Sequence, residues 1–289
     1  MSLSTPRIGF LGLGVMGLPM ALNLARHYPL TAWNRSASKN APITQAGGTI
    51  SPTPSAVLAN SDIIFSMLFD GPALQSLFDT SFTTALHGKI LINTSSVPVE
   101  CNVSLAAQVH AAGGSFFEMP VSGSRGPAEQ GQLVGMLAGD EALAQKILPI
   151  VKPMTRAAIY CGEIGQGLRM KYAVNLYLIT MMGGLAEAMN LAQAQGLDVG
   201  AFGKVLDAGP MASDYSRHKV GKMLRGDWTA EAAVKDCFNL TRLISDASDE
   251  AGTSSPIIDL VGELYGRAKE MGLEGEDMSA LMKVFSRLK

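Results

Sequence analysis

The hydrophobic positions of this chain change their period near its middle. Up to Gly162, short apolar runs of strand length alternate with stretches whose apolar residues recur every three or four positions; beyond it only the second pattern remains. Runs at 7–11, 30–33, 62–68, 89–96 and 113–123, then "QLVGMLAGD" and "AAIYCG", are expected strands. Residues 73–78, 99–112 and 141–151 fill the intervals as expected helices. Strands alternating with helices imply crossover connections and a mostly parallel sheet.

From 165 to 195 there is neither a strand signal nor a proline, and "AVNLYLITMMGGLAEAMNLA" is apolar on nearly every side. Such a helix is expected to be buried all round. It reads as a long helix that joins two domains and packs against both, or against a second subunit. Helical patterns follow at 199–208, 213–225, 231–251, 256–272 and 278–288. The expected organisation is an α/β sheet domain over 1–163 and an all-helical domain over 164–289 that includes the long helix.

The stretch from Ile8 to Ala25 carries no charge and is long enough to cross a bilayer. Gly12-x-Gly14-x-x-Gly17 and Pro19 argue instead for a strand, a tight turn and a helix start. In that arrangement Gly12 makes the turn, Gly14 lets the backbone approach a pyrophosphate and Gly17 lets the helix lie close to the sheet. Leu13, Val15 and Met16 complete a loop that presents the helix N-terminus to phosphates. A β-run before the loop, a helix after it and a second strand on schedule make this a Rossmann-type dinucleotide site.

That second strand ends in Asn34-Arg35-Ser36, where an NAD enzyme would place a carboxylate for the ribose. A guanidinium fork suits a 2′-phosphate, so NADP(H) is the preferred cofactor and NAD(H) the alternative. The competing reading of Arg35 is a solvated loop side chain. Trp33 is read as core.

Composition narrows the chemistry further. A chain of 289 residues with 47% hydrophobic and 17% charged residues builds a core. A net charge of −2 without a basic stripe gives no grip on nucleic acid. Cys101, Cys161 and Cys237 lie far apart without metal-ligand spacing, as reduced, buried thiols of a cytoplasmic protein do. No cationic segment precedes the glycine loop, so a signal peptide is not expected, nor is a membrane span. His27, His87, His110 and His218 form no H-E-x-x-H pair, and no metal is expected. There is no G-x-S-x-G elbow for a hydrolase.

"GFLGLGVMGLPMALNL", "PVSGSRGPAEQGQL", "GQGLRMKYAVN" and "VKD", in this order and spacing, resemble the β-hydroxyacid dehydrogenase family over essentially the whole chain. "WNRS" and "SGSRGPAE" look most similar to its glyoxylate/succinic semialdehyde reductase branch. The resemblance implies Lys171 as the catalytic lysine, with Asn175 one turn further on the same helix face. A lysine that protonates a developing alkoxide works best when burial lowers its pKa. Ser122 and Gly123 match the substrate-carboxylate loop, where a hydroxyl and backbone amides can hold an anion; Ser124 departs from the more usual glycine. Lys235 matches a lysine of the helical domain that serves both substrate and cofactor. Met67 and Leu68 match the segment beneath the adenosine and pyrophosphate, and Ser96 a residue near the nicotinamide. Asn93 stands where the family usually has Asp.

The implied function is NADPH-dependent reduction of a short, carboxylate-bearing aldehyde such as glyoxylate or succinic semialdehyde to the hydroxy acid. The alternatives are an NAD-dependent 3-hydroxyisobutyrate dehydrogenase, an imine reductase and a non-catalytic nucleotide-binding module; Lys171 speaks against the last two. The apolar helix further implies a homodimer or homotetramer.

Overall fold

The computed structural model describes residues 5–287. The chain divides into two compact units, Met1–Lys171 and Tyr172–Lys289.

The first unit is built on a nine-stranded sheet: β1 (Ile8–Leu11), β2 (Leu30–Trp33), β3 (Thr49–Ile50), β4 (Ile63–Ser66), β5 (Ile90–Asn93), β6 (Ser115–Glu118), β7 (Val121–Ser122), β8 (Leu133–Ala138) and β9 (Thr155–Gly162). Their spatial order is β3-β2-β1-β4-β5-β6-β8-β7, with β9 paired to β8. The strands from β3 to β6 run parallel, β8 is antiparallel to both β6 and β7, and β9 returns parallel to β8. All four residues of β1 and of β4 are buried, because helices cover both faces of such a sheet. One face packs Ile8, Phe10, Leu24, Phe65 and Phe117 together; the other packs Leu11, Val57, Ile64, Leu91 and Leu105. After β3 the chain returns across the sheet to place β4 beside β1. Ligands bind beyond the carboxyl ends of strands at such a reversal.

Several expected elements are shorter than their apolar runs. The 113–123 run breaks into β6 and β7 at Met119 and Pro120, since a proline offers no N–H to a ladder. The helices Ala41–Gln45, Pro54–Ala59, Thr80–Ala85 and Arg125–Glu129 carry no periodic signal, being too short to show one. Two are started by side-chain caps instead: Thr53 accepts from the Ala56 amide and Asp79 from that of Phe82. Cys101 and Cys161 are half-buried, and Cys237 alone of the three is fully buried.

The long helix spans Gln166–Ala194. Its first residues belong to the first unit, where Leu168 is buried, and the rest to the second. Within the single chain it is not buried all round: in the second unit Val174, Tyr177 (68% exposed) and Leu191 (56%) lie on one open face.

In the second unit the helices Val199–Ala208, Asp214–Arg225, Val234–Glu250 and Pro256–Glu270 follow. Ser213 caps its helix reciprocally with Ser216. The helix expected from 231 begins only at Val234, because Thr229 and Ala233 form isolated bridges with Glu276 and Asp277. The stretch expected as a helix over 278–288 is a 3₁₀ turn, Met278–Leu281, and a short helix, Met282–Phe285; Leu288 lies outside the described residues. At the centre of this unit Asp277 accepts two bonds from Lys219 Nζ (2.8 and 3.0 Å) and others from the Glu231 amide and from Ser279. Among the described residues, no helix is long and apolar enough to cross a membrane.

Candidate active site

The glycine loop joins β1 to the helix Gly17–Ala25 and meets the end of β4. Gly12 has φ +100°, a conformation L side chains rarely adopt, and a Cβ there would fall 2.3 Å from the Met67 carbonyl oxygen. A Cβ on Gly17 would lie 2.0 Å from the Gly12 carbonyl oxygen, so the helix reaches the turn only as glycine. A Cβ on Gly14 meets nothing within 4 Å. That open cradle faces the start of a helix, and the amides of Gly14, Val15 and Met16 make no backbone hydrogen bond among the described residues. Free amides at a helix N-terminus suit a pyrophosphate.

Leu13 contributes differently from its neighbours. Its side chain is fully buried, and its amide donates to Asn34 Oδ1 (2.9 Å). Asn34 in turn donates through Nδ2 to the Ser36 carbonyl (2.9 Å). Both ends of the Asn34 amide are therefore spent on bracing the glycine loop against the end of β2. Arg35 is left exposed with no hydrogen bond or ion pair among the described residues, and Ser36 is exposed beside it.

On the other side of the reversal, Met67 and Leu68 are half-buried at the end of β4. The Leu68 amide donates to Ser95 Oγ (2.8 Å), and Thr94 Oγ1 donates to the Ser66 carbonyl (2.7 Å). Ser96 is exposed at the mouth of this loop while Ser95 is buried beneath it. Asn93 sits in a buried chain: Ser66 Oγ and the Ser95 amide donate to its Oδ1, and its Nδ2 donates to Asn102 Oδ1 (2.7 Å). Asn102 Nδ2 then donates to Glu118 Oε2 (2.6 Å). Neither Asn102 nor Glu118 stands out in the sequence; the only hint is a carboxylate inside the apolar run that becomes β6.

Lys171 lies in the second turn of the long helix, and its Nζ donates to the Val121 carbonyl oxygen (2.9 Å). Among the described residues no carboxylate pairs with it. The residue is half-buried overall, and loss of hydration pulls its pKa from the usual 10.5 down to about 8. Ser122 follows Val121 directly, half-buried, and Gly123 turns the chain with φ +128°. A side chain at Gly123 would also press on Leu133 and Pro127. Thus β7 brings Ser122, Gly123 and the partner of Lys171 into one loop. In the second unit, Asn175 is buried on the long helix, and Lys235 is exposed in the first turn of Val234–Glu250, its amide bonded to the Glu274 carbonyl.

A dinucleotide cradle at the sheet reversal, with a desolvated lysine beside a hydroxyl-bearing loop, defines an NAD(P)-dependent oxidoreductase acting on a hydroxyl group. Comparison with known proteins gives the same class. Residues 7–162 match the family of the NAD binding domain of 6-phosphogluconate dehydrogenase, and residues 165–285 match that of the NAD-binding domain of NADP-dependent 3-hydroxyisobutyrate dehydrogenase. Among similar proteins, chloroplastic glyoxylate/succinic semialdehyde reductase 2 of Arabidopsis thaliana is 34% identical, over 99% of this chain and 81% of its own. Glyoxylate/succinic semialdehyde reductase 1 of the same plant is 32% identical, over 97% of this chain and 99% of its own. The solved structure of 3-hydroxyisobutyrate dehydrogenase from Salmonella typhimurium superposes with a TM-score of 0.87 at 20% identity, covering 96% of this chain and 99% of that one; it shares the fold. The chain belongs to the β-hydroxyacid dehydrogenase family.

Proposed function

We propose that the protein is an NADPH-dependent reductase of short aldehyde acids, such as glyoxylate or succinic semialdehyde, with Lys171 as proton donor. The observation that carries this reading is the lysine itself: an amine without a carboxylate partner among the described residues, desolvated to a pKa of about 8, and hydrogen-bonded to the residue before Ser122. The relatives that are reductases of these aldehyde acids support the substrate class. The unpaired Arg35 at the end of β2 supports the 2′-phosphate.

The cofactor, when bound, supplies the hydride. The loop amides at Gly14, Val15 and Met16 and the residues Arg35, Ser36, Met67, Leu68 and Ser96 are proposed to hold it. Ser122 Oγ and the Gly123 turn would take the substrate carboxylate and so fix the aldehyde carbon. Lys171, protonated, gives its proton to the carbonyl oxygen as negative charge grows there, and afterwards recovers one from solvent. The roles of Asn175 and Lys235 as substrate contacts, and of Lys235 as a cofactor contact, rest on the family resemblance alone. We also propose a homodimer or homotetramer, on the strength of the open apolar face Val174, Tyr177 and Leu191; a monomer by light scattering at micromolar concentration would refute it.

Turnover of glyoxylate, succinic semialdehyde, methylmalonate semialdehyde and tartronate semialdehyde with NADPH and NADH tests the assignment. The acids are expected to exceed uncharged aldehydes of equal length by at least about tenfold in kcat/KM, the worth of one contact of about 1.4 kcal/mol. Ser122→Ala should shrink that gap without weakening NADPH. Equal activity on butanal and succinic semialdehyde would overturn the proposed substrate class.

A further inference from the structure

Glu118 is fully buried at the end of β6, and the reaction as proposed makes no use of it. Its Oε1 accepts from the amides of Gly165 (3.0 Å) and Leu168 (3.1 Å), which lie 47 and 50 positions later and form the start of the long helix. Its Oε2 accepts from Asn102 Nδ2. A Cβ on Gly167 would come within 3.0 Å of Glu118 Oε1 and 2.6 Å of the Met136 carbonyl, so the helix start seats against β6 and β8 only because that residue is glycine. Lys171 follows one turn after Leu168, and its own partner, Val121, lies three residues after Glu118.

The chain of bonds has a direction that both of its ends impose. A carboxylate only accepts and a backbone amide only donates. Asn102 must therefore turn its Nδ2 toward Glu118 and its Oδ1 toward Asn93. Asn93 must turn its Nδ2 toward Asn102 and keep its Oδ1 for Ser66 Oγ and the Ser95 amide. Ser95 Oγ in turn accepts the Leu68 amide. An unbroken path thus runs from the first turn of the Lys171 helix to the ends of β4 and β5, where the cofactor residues lie.

We propose that Glu118 is a positioning residue: its carboxylate, oriented through Asn102 and Asn93, holds the first turn of the long helix in register with the cofactor-binding strand ends and so sets the place of the Lys171 amine. This inference rests on the proposed role of Lys171. It makes a specific demand on the amide orientations. In Glu118→Gln, the new oxygen is claimed by the Gly165 and Leu168 amides, so the new NH₂ faces Asn102. Turning Asn102 to meet it, and Asn93 in response, brings an NH₂ against the Ser95 amide, and one bond is lost wherever the mismatch settles. Asn102→Asp added to Glu118→Gln removes the conflict, since an aspartate there accepts from both neighbours at unchanged net charge.

The test compares the parent, Glu118→Gln and Glu118→Gln/Asn102→Asp. Two readouts are taken: kcat and KM for reduction, and the pH dependence of Lys171 acetylation measured by peptide mass spectrometry, which needs no turnover. Glu118→Gln is expected to lower kcat at least about tenfold with KM for NADPH within about twofold, and to move the Lys171 midpoint by at least about half a unit from the parent's. The double variant should restore both. A Glu118→Gln enzyme with parental kcat and an unmoved midpoint overturns the proposal. So does a folded double variant no better than the single one. If Glu118→Gln does not fold, a folded double variant with parental values supports the proposal, and failure of both to fold overturns it, making the chain a folding element. Should Lys171→Ala retain activity while Glu118→Gln still moves the acetylation midpoint, the proposed role of Lys171 fails and the positioning by Glu118 stands.

Discussion

Lys171 of the first unit and Lys219 of the second are both helix lysines withdrawn from water, and their surroundings differ in kind. Lys219 meets a buried carboxylate: Asp277, whose burial pushes its pKa up, is nonetheless held below the ordinary carboxylate value by the bond from Lys219 and by the Glu231 and Ser279 donors. Every charge there is answered, so the pair ties the Asp214–Arg225 helix to the Met278–Leu281 turn. Among the described residues Lys171 has a carbonyl oxygen and no carboxylate, and its pKa falls to about 8. A paired buried charge is a structural tie; an unpaired one keeps its proton exchangeable. Arginines show the same contrast: Arg7 makes three bonds to Asp62, whereas Arg35 at the end of β2 makes none among the described residues.

The two lysines should fail in different assays. Lys171→Ala should cost about 10² to 10⁴ in kcat while leaving NADPH affinity within about twofold by fluorescence titration and the urea midpoint nearly unchanged; a kcat within a few-fold of the parent would break the comparison. Lys219→Met should do the reverse, lowering the unfolding free energy by about 3–5 kcal/mol because Asp277 is left buried without its partner. Urea denaturation checks that, and NADPH affinity of the folded fraction should be unaltered.

Smaller effects sharpen the contrast. Arg35→Asp should weaken NADPH about ten- to hundredfold, as expected for the loss of one charge-assisted contact of about 1.5–3 kcal/mol, and narrow or invert the preference over NADH; comparable kcat/KM for the two cofactors in the parent would mean that Arg35 is a solvated side chain. The pH dependence carries a definite sign. The protonated amine is the donor and its pKa lies near 8, so kcat for reduction should be level below about pH 8 and fall about tenfold per unit above it. Oxidation of the hydroxy acid should rise across the same interval, since there the neutral amine is required. A reduction rate that is flat to pH 10 would remove Lys171 from the proton step.

The glycine loop was legible because it depends on local backbone geometry. Gly12, Gly14 and Gly17 occupy positions where a Cβ would strain the turn, meet a carbonyl or fill the cradle, and those needs are written as glycine at fixed spacing. Helices such as Val199–Ala208, found as expected, announce themselves by apolar periodicity over several turns. Asn34 was placed correctly at the end of β2 but its task was not foreseen: its amide is consumed by Leu13 and Ser36, which leaves the cofactor phosphate to Arg35 in the proposed reading.

The alternation of strand and helix and the glycine turn could be read from the chain alone, since each depends on residues within a few positions of one another; Lys171 was singled out by the family resemblance and not by its neighbours. Tertiary structure alone decided what those residues meet. The antiparallel β8, the open face of Val174, Tyr177 and Leu191, and the bonds from Glu118 to a helix start some fifty positions away all depend on which segments the fold brings together. A carboxylate in an apolar run looks like an error of pattern until the donors that answer it are in place. Burial makes those donors obligatory, and only the packed sheet supplies them.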